Sequence, residues 1–386
     1  MLLTGSGRLA PSGRSPWAIQ VSDGRIAWIG ARDDAPDDAE RHDLGAALVT
    51  PGLVDSHTHP VFAGDRSDEA AARLEGAPYT DGGILRTVRA TRGADDTVLE
   101  GLVEARLRSA MAAGTTTVEC KSGYGLSLEE ELRHLRIIRR VAGRVPIRVV
   151  ATFLGAHAVP REASSAAAYA ESVAAEMIPA VAAEGLAEFV DVFADAGFFD
   201  LVATERIARA AIAAGLGVRL HADQLQRTGA AELGVRLGAA SVDHLEQLDA
   251  DGVAALAASE TVATLLPAPA VVLRDRLPPA RALLDAGGAT VALASDANAG
   301  TYGGFGTMPL VVGLGATLLG MTVTEALTAA TAGAATSLRR TELGRLEVGA
   351  AADLVAWDAE HEGAFALRLG GVRPVRAWIA GIEVAL

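Results

Sequence analysis

The sequence predicts an α/β protein built on a closed parallel (β/α)8 barrel, with a small β domain made from both chain ends. Three observations carry this. Eight apolar, strand-like runs alternate with Ala-rich helical stretches through the middle of the chain, the order expected of parallel strands joined by crossover helices. Polar, chemistry-bearing residues collect just after those runs, where such barrels place their sites. The two ends hold short strand-like pairs, too few at either end to cover a core alone.

Taken in order, Trp17–Val21 and Arg25–Gly30 flank Ser22-Asp-Gly24, which reads as a β-hairpin. The eight runs are Leu48–Val54, Thr115–Cys120, Ile147–Leu154, Glu188–Phe193, Gly217–Leu220, Ala240–Val242, Thr261–Leu266 and Thr290–Ala294. Between them, Thr97–Ala113 and Ser127–Val141 repeat apolar residues at helical spacing, with acids early and Arg late. Thr322-Val-Thr-Glu325 reads as a capping box ahead of a helix over Ala326–Ser337. Ala352–Asp358 and Pro374–Gly381 are again strand-like. The expected boundaries are therefore 1–50 together with 346–386 for a composite β domain, and 51–345 for the barrel. An open doubly wound sheet is the competing fold. Against it, no Gly-rich phosphate loop follows the first run, and Gly303-Gly-Phe-Gly306 lacks the dinucleotide spacing.

Bulk properties narrow the function. A formal charge of −14 over 386 residues disfavours nucleic acid, which needs a basic surface. No apolar run approaches the roughly 18 residues of a membrane span. The single cysteine, Cys120, excludes an internal disulfide framework and suits a reducing compartment. Met1-Leu-Leu-Thr-Gly-Ser-Gly-Arg8 shows no basic stretch followed by an apolar one, so no secretory leader and a cytoplasmic location are expected. Small-molecule chemistry is the expectation, without nucleic acid or membrane as partner. Of the 34 basic residues, Lys121 is the only lysine.

The first run leads into Asp55-Ser-His57-Thr-His59. Residues two apart on an extended chain face the same way, so the two imidazoles project together and make half of a metal site. Later runs end in Glu119-Cys-Lys-Ser-Gly-Tyr124, Gly155-Ala-His157, His221-Ala-Asp-Gln224, Asp243-His244-Leu-Glu246 and Asp296-Ala-Asn298-Ala-Gly300-Thr301. Of eight histidines, His57, His59, His157, His221 and His244 fall at these ends, while His42, His134 and His361 read as loop or surface-helix residues. Taken singly, each later histidine reads as a hydrogen-bonded core residue, and Asp296 as a helix N-cap. As a set in matching positions, His57, His59, His221 and Asp296 read as metal ligands with room left for water, whose pKa a metal lowers towards about 7. Asp296 can then hold the water's proton and pass it to a leaving nitrogen, with His244 polarising a carbonyl or orienting the nucleophile. Lys121 reads either as a carboxylated metal bridge or, the preferred reading, as structural or substrate-side. Ser122 and Cys120 lack an activating partner for nucleophilic work.

These motifs resemble the amidohydrolase superfamily and, more narrowly, the imidazolonepropionase family of histidine degradation. The matching pieces are 54–66, 83–92, 118–126, 152–160, 220–225, 243–246 and 344–349, nearly the whole chain in order. Lys121-Ser-Gly-Tyr-Gly125 and Gly155-Ala-His-Ala-Val-Pro160 are the specific ones. The resemblance implies a TIM barrel of the amidohydrolase type with a small β-sandwich, and one Zn2+ or Fe3+ ion on His57, His59, His221 and Asp296. It implies substrate contacts from Arg66, Tyr124, His157 and Gln224, with Asn298, Gly300 and Thr301 beside the last strand, and a homodimer. The implied substrate, 4-imidazolone-5-propanoate, carries a carboxylate, which an Arg fork fits well. Two departures stand out. Ala299 replaces the family's proline, which predicts a looser loop. Gln224 stands where some members have Glu, which moves the base role to Asp296. The alternatives are another cyclic-amide hydrolase, an amino-heterocycle deaminase, or an inactive scaffold, which would show gaps in the ligand set.

Overall fold

The computed structural model describes residues 1–36, 40–76 and 81–386. Its centre is an eight-stranded sheet of Leu53–Asp55, Thr115–Lys121, Arg148–Ala156, Phe189–Ala194, Gly217–Ala222, Ser241–His244, Val262–Leu265 and Val291–Leu293, adjacent in chain order. Every neighbouring pair is parallel. Helices cover the outer face, so the strands are buried on both faces, and they carry buried polar side chains such as Glu119, Lys121, Asp191, Arg219 and Asp243 among the apolar ones.

The barrel closes just past the strand ends. Thr58 bridges Ala297 in parallel register. Asp296 N donates to His57 O at 3.0 Å, and His59 N to Ala297 O at 2.9 Å. Beneath them the Asp55 carboxylate takes Ser295 N at 3.0 Å and Ser295 Oγ at 2.6 Å. Burial lifts the Asp55 carboxyl to about 7 despite these bonds. The seam that closes the sheet is therefore also the place where His57, His59 and Asp296 meet.

The run Leu48–Val54 is not one barrel strand, as its continuous apolar character suggests. Leu48–Pro51 pairs antiparallel with Leu354–Trp357, and only Leu53–Asp55 joins the barrel. Gly52 sits at the switch, where a Cβ would lie 2.1 Å from Thr116 Oγ1. Both halves are buried and apolar, so periodicity cannot separate them.

The chain ends form two further sheets. One holds Leu2–Gly5, Trp17–Ser22, Arg25–Ala31 and Arg41–Asp43; the other joins Leu48–Pro51 to Leu354–Trp357, Pro374–Ile379 and Ile382–Val384. Leu3, Trp17, Ile19, Val49, Leu354 and Trp378 make their shared core. The expected hairpin is present, with Asp23 at φ 51° and Gly24 at φ 74°, both left-handed as a two-residue hairpin turn needs. Arg148 of the third barrel strand pairs with Asp353 at 2.9 Å, tying this layer to the barrel base, and Trp357 donates to Thr50 Oγ1 at 2.9 Å within the layer.

The expected helices appear as Asp96–Ala112 and Leu128–Ala142, the second capped by the Ser127 side chain. Thr322 and Glu325 form the capping box. The helix after it is not uniform: Val323–Thr328 passes into a π turn, Ala329–Gly333, before Ala334–Ser337. There Gly333 packs so closely on the eighth strand that a Cβ would meet Val291 O at 2.1 Å. His134, expected on a surface helix, is wholly buried, with neither ring nitrogen hydrogen-bonded among the described residues and Glu130 3.8 Å from Nε2. Burial pushes its pKa down to about 3. No described helix is long and apolar enough to cross a membrane.

Candidate metal centre and active site

The extended exit of the first strand sends His57 and His59 to one side, with Thr58 between them donating to Glu119 O at 2.5 Å. Strand five delivers His221 and the turn after strand eight delivers Asp296. Their donor atoms converge: His57 Nε2 lies 3.1 Å from His221 Nε2 and 3.3 Å from His59 Nε2. Asp296 Oδ1 lies 3.4 Å from His59 Nε2 and 3.6 Å from His57 Nε2.

The far sides of two rings fix their tautomers. His57 Nδ1 donates to Asp243 Oδ2 at 2.7 Å, and His221 Nδ1 to Asp191 Oδ1 at 3.1 Å. Both Nε2 atoms therefore present lone pairs to one another. Lone pairs so close repel unless a cation lies between them. Tetrahedral N/O ligation at ~2.0–2.1 Å separates ligand atoms by about 3.3–3.4 Å, close to the spacing found. The donor set fits a divalent metal ion. Burial lowers the His57, His59 and His157 pKa values, keeping those rings neutral as ligation requires. Burial alone would raise Asp296, but the His59 hydrogen bond and neighbouring imidazoles outweigh it and hold the carboxylate ionised.

His244 differs. The chain turns it inward through left-handed backbone at His244 (φ 82°) and Leu245 (φ 71°), which non-glycine residues avoid unless their surroundings hold them. Burial would lower its pKa, but Glu246 at 3.5 Å, with Asp296 and Asp243, raises it. Its shift thus runs opposite to those of His57, His59 and His157.

All the expected site residues except His57 and Gly300 line one small cavity, together with Ile84 and Phe193. A larger hollow lies behind Asp195 and Phe198 and holds none of the clustered ligating groups found among the described residues. Arg66 is buried, its Nε and Nη2 forked onto Glu69 at 2.8 and 2.6 Å. It lies between Gly83 and Gly300, where a Cβ would come within 1.9 and 2.1 Å of the guanidinium. Gly300 thus makes room for Arg66. His157 donates Nδ1–H to Gly123 O at 2.9 Å and stacks on His59 with centroids 5.1 Å apart. Tyr124 is buried beside both rings. Asn298 spends its amide on the loop, donating to Asp296 O and Thr301 Oγ1 and accepting Gly300 N and Thr301 N, all at 2.6–2.8 Å. Thr301 in turn donates to Asp296 Oδ2 at 3.4 Å. These bonds, with Arg73 on Gly300 O at 2.6 Å, tie the loop that Ala299 was expected to loosen.

Several residues that set this geometry were not singled out from sequence. Asp243 and Asp191 orient the ligand imidazoles. The buried Glu131 carboxylate gathers Gly123 N, Gly125 N and Leu126 N at 2.8–3.0 Å and so shapes the loop carrying Tyr124. Asp195 does the same for Gln224 N and Leu225 N, at 2.8 and 2.7 Å. A signal existed in one case: Asp191 is the only polar residue in the Phe189–Phe193 run. Lys121 lies below the site, its Nζ 2.8 Å from Glu119 and 2.7 Å from Asp191. That placement matches a structural role.

Histidines and an aspartate able to hold a metal ion at the C-terminal mouth of an eight-stranded barrel suit a metal-dependent hydrolase. The chain belongs to the amidohydrolase family, whose profile matches residues 48–384. Its relatives include the imidazolonepropionase of Cupriavidus taiwanensis, 47% identical over 88% of this chain and 84% of that protein. The imidazolonepropionase of Mycolicibacterium smegmatis is 46% identical over 92% and 87% respectively. Among solved structures, a 5-methylcytosine deaminase from Klebsiella pneumoniae with bound 5-fluorocytosine superposes with a TM-score of 0.81 at 16% identity, covering 100% of this chain and 97% of that one. An atrazine chlorohydrolase from Arthrobacter aurescens complexed with zinc and atraton gives 0.75 at 19%, over 100% and 95%. These two likenesses speak to the fold.

Proposed function

We propose that this chain hydrolyses the ring amide C–N bond of 4-imidazolone-5-propanoate to N-formimidoyl-L-glutamate, with one Zn2+ or Fe3+ ion on His57, His59, His221 and Asp296. The observation that carries the reading is one small cavity whose walls hold His59, His221 and Asp296 together with a guanidinium, with His57 Nε2 within 3.1 and 3.3 Å of the two histidine nitrogens. Relatives named imidazolonepropionase over most of the chain support it.

When bound, the ion supplies Lewis acidity and a water of lowered pKa. The residues supply the rest. Ionised Asp296, oriented by Thr301, takes the water's proton and returns it to the ring nitrogen as the C–N bond breaks. His244, its ring facing Glu246 at 3.5 Å, stabilises negative charge growing on the ring carbonyl oxygen. Arg66 pairs with the propanoate carboxylate, while Tyr124 and His157 hold the ring. Gln224 can offer a hydrogen bond but cannot accept a proton. A homodimer completes this reading; light scattering of the eluted protein tests it.

The deciding assay follows the imidazolone absorbance with freshly generated substrate, before and after chelation and metal add-back. Metal-dependent loss of absorbance with formimidoylglutamate as product is expected. No turnover by metal-loaded protein would remove this substrate, and ammonia release from an amino-heterocycle would favour a deaminase.

A further inference from the structure

Beneath the donor set lies a layer of five charged side chains that the reading above leaves unused: Glu119, Lys121, Asp191, Arg219 and Asp243, all fully buried. They form one continuous chain between two metal-ligand imidazoles. His57 Nδ1 meets Asp243 Oδ2 at 2.7 Å, and the same oxygen takes Arg219 Nη2 at 3.0 Å. Arg219 Nε lies 3.3 Å from Glu119 Oε1, which also faces Lys121 Nζ at 2.8 Å. Lys121 Nζ then meets Asp191 Oδ2 at 2.7 Å, and Asp191 Oδ1 meets His221 Nδ1 at 3.1 Å.

Stability does not account for this layer. Each buried ion loses several kcal/mol of hydration, and apolar side chains of the same volume fill such a floor about as stably. What the chain of charges does supply is direction, because Arg219 and Lys121 hydrogen-bond the carboxylates that hold the two imidazoles and meet through Glu119 by ion-pair contact. Glu119 is further pinned by Thr152 Oγ1 at 2.5 Å, and Asp243 by Ser241 Oγ at 2.6 Å. Three carboxylates against two cations also leave one net negative charge directly under a site suited to a cation. A carboxylated Lys121 would set a third anion between Glu119 and Asp191, so the geometry requires the ammonium form. An ammonium is a compact donor that fits between two carboxylates 2.7 and 2.8 Å away, where a planar guanidinium is too broad. This is the one position among 34 basic residues at which the chain has lysine.

We propose that Lys121 is a positioning residue for the metal centre. It clamps Asp191 against Glu119 and so fixes the His221 imidazole. Through Glu119, Arg219 and Asp243 it holds that imidazole in register with His57. This rests on the metal reading of the site, and the test separates the two.

The probe is Co2+, with affinity read by chelator competition and coordination by its d–d spectrum, beside the melting temperature of the metal-free protein. Wild type should take up one Co2+ per chain. Lys121→Met should bind it roughly 10- to 100-fold more weakly, the range for lost outer partners of a ligand, with an altered spectrum, and Lys121→Arg should not restore either. If Lys121→Met does not fold, the double variant Glu119→Gln/Lys121→Met removes one charge of each sign and carries the same expectation. Affinity within threefold of wild type with an unchanged spectrum, even alongside a lower melting temperature, would overturn the positioning role. A wild-type chain that takes up no Co2+ would overturn the metal reading and the proposal with it.

Discussion

Arg66 enters the cavity with Nε and Nη2 already committed to Glu69, so its orientation is set before any substrate arrives. Truncating one partner of a buried charge pair costs ~2–5 kcal/mol. Arg66→Ala should therefore lower kcat/KM by about two to three orders of magnitude, and an unchanged value would remove Arg66 from the site. Asp296→Asn keeps the shape but loses both the anionic ligand and the base; turnover should nearly vanish, and appreciable activity would point to another base. His134 carries a pH prediction away from the site. Its folded pKa of about 3 lies below the usual ~6.5, so the unfolded chain takes the proton first as pH falls. Native stability from the neutral ring is full above pH ~6.5 and drains away towards pH 3, at up to ~1.4 kcal/mol per unit. Urea unfolding of metal-free protein at pH 6 and pH 5 should show His134→Leu gaining on wild type by about that amount. Parallel curves would mean the ring is not buried neutral.

At the scale of elements, the active-site loops are rigid because buried carboxylates collect their amides. Glu131 gathers three N–H groups from the Gly123–Leu126 turn, and His157 leans on that turn through Gly123 O. Glu131→Gln leaves at least one buried donor unpaired, a loss of ~1–3 kcal/mol, and should raise KM as His157 loses its anchor. A lower melting temperature with unchanged KM would show that the turn does not position the ring.

At the scale of the molecule, the described seam of the barrel is closed by a few bonds, and those bonds run through His57, His59 and Asp296, three of the proposed metal ligands. A bound ion therefore reinforces the seam. An ion present at 100 times its Kd adds about 2.7 kcal/mol to stability, so chelation should lower the melting temperature by a few degrees, reversibly. A melting temperature indifferent to chelator would mean the native fold does not bind the ion.

The alternation of strand-like runs and helices was enough to establish the barrel, because parallel strands need a crossover helix between each pair. His57, His59, His221 and Asp296 were legible for a related reason: strand ends on one face of a barrel converge, so their side chains can be read as a set. Tertiary structure decided what such patterns cannot carry. Whether Leu48–Pro51 belonged to the barrel depended on its partner strand, Leu354–Trp357, some three hundred residues away. That His134 faces inward followed from how its helix packs, since a histidine serves either side of an amphipathic helix. The carboxylates behind the ligands, Asp191 and Asp243, take their meaning only from the imidazole nitrogens they meet in space. Spacing along the chain records which residues share a face, whereas hydrogen-bond partners across strands are fixed only when the sheet closes.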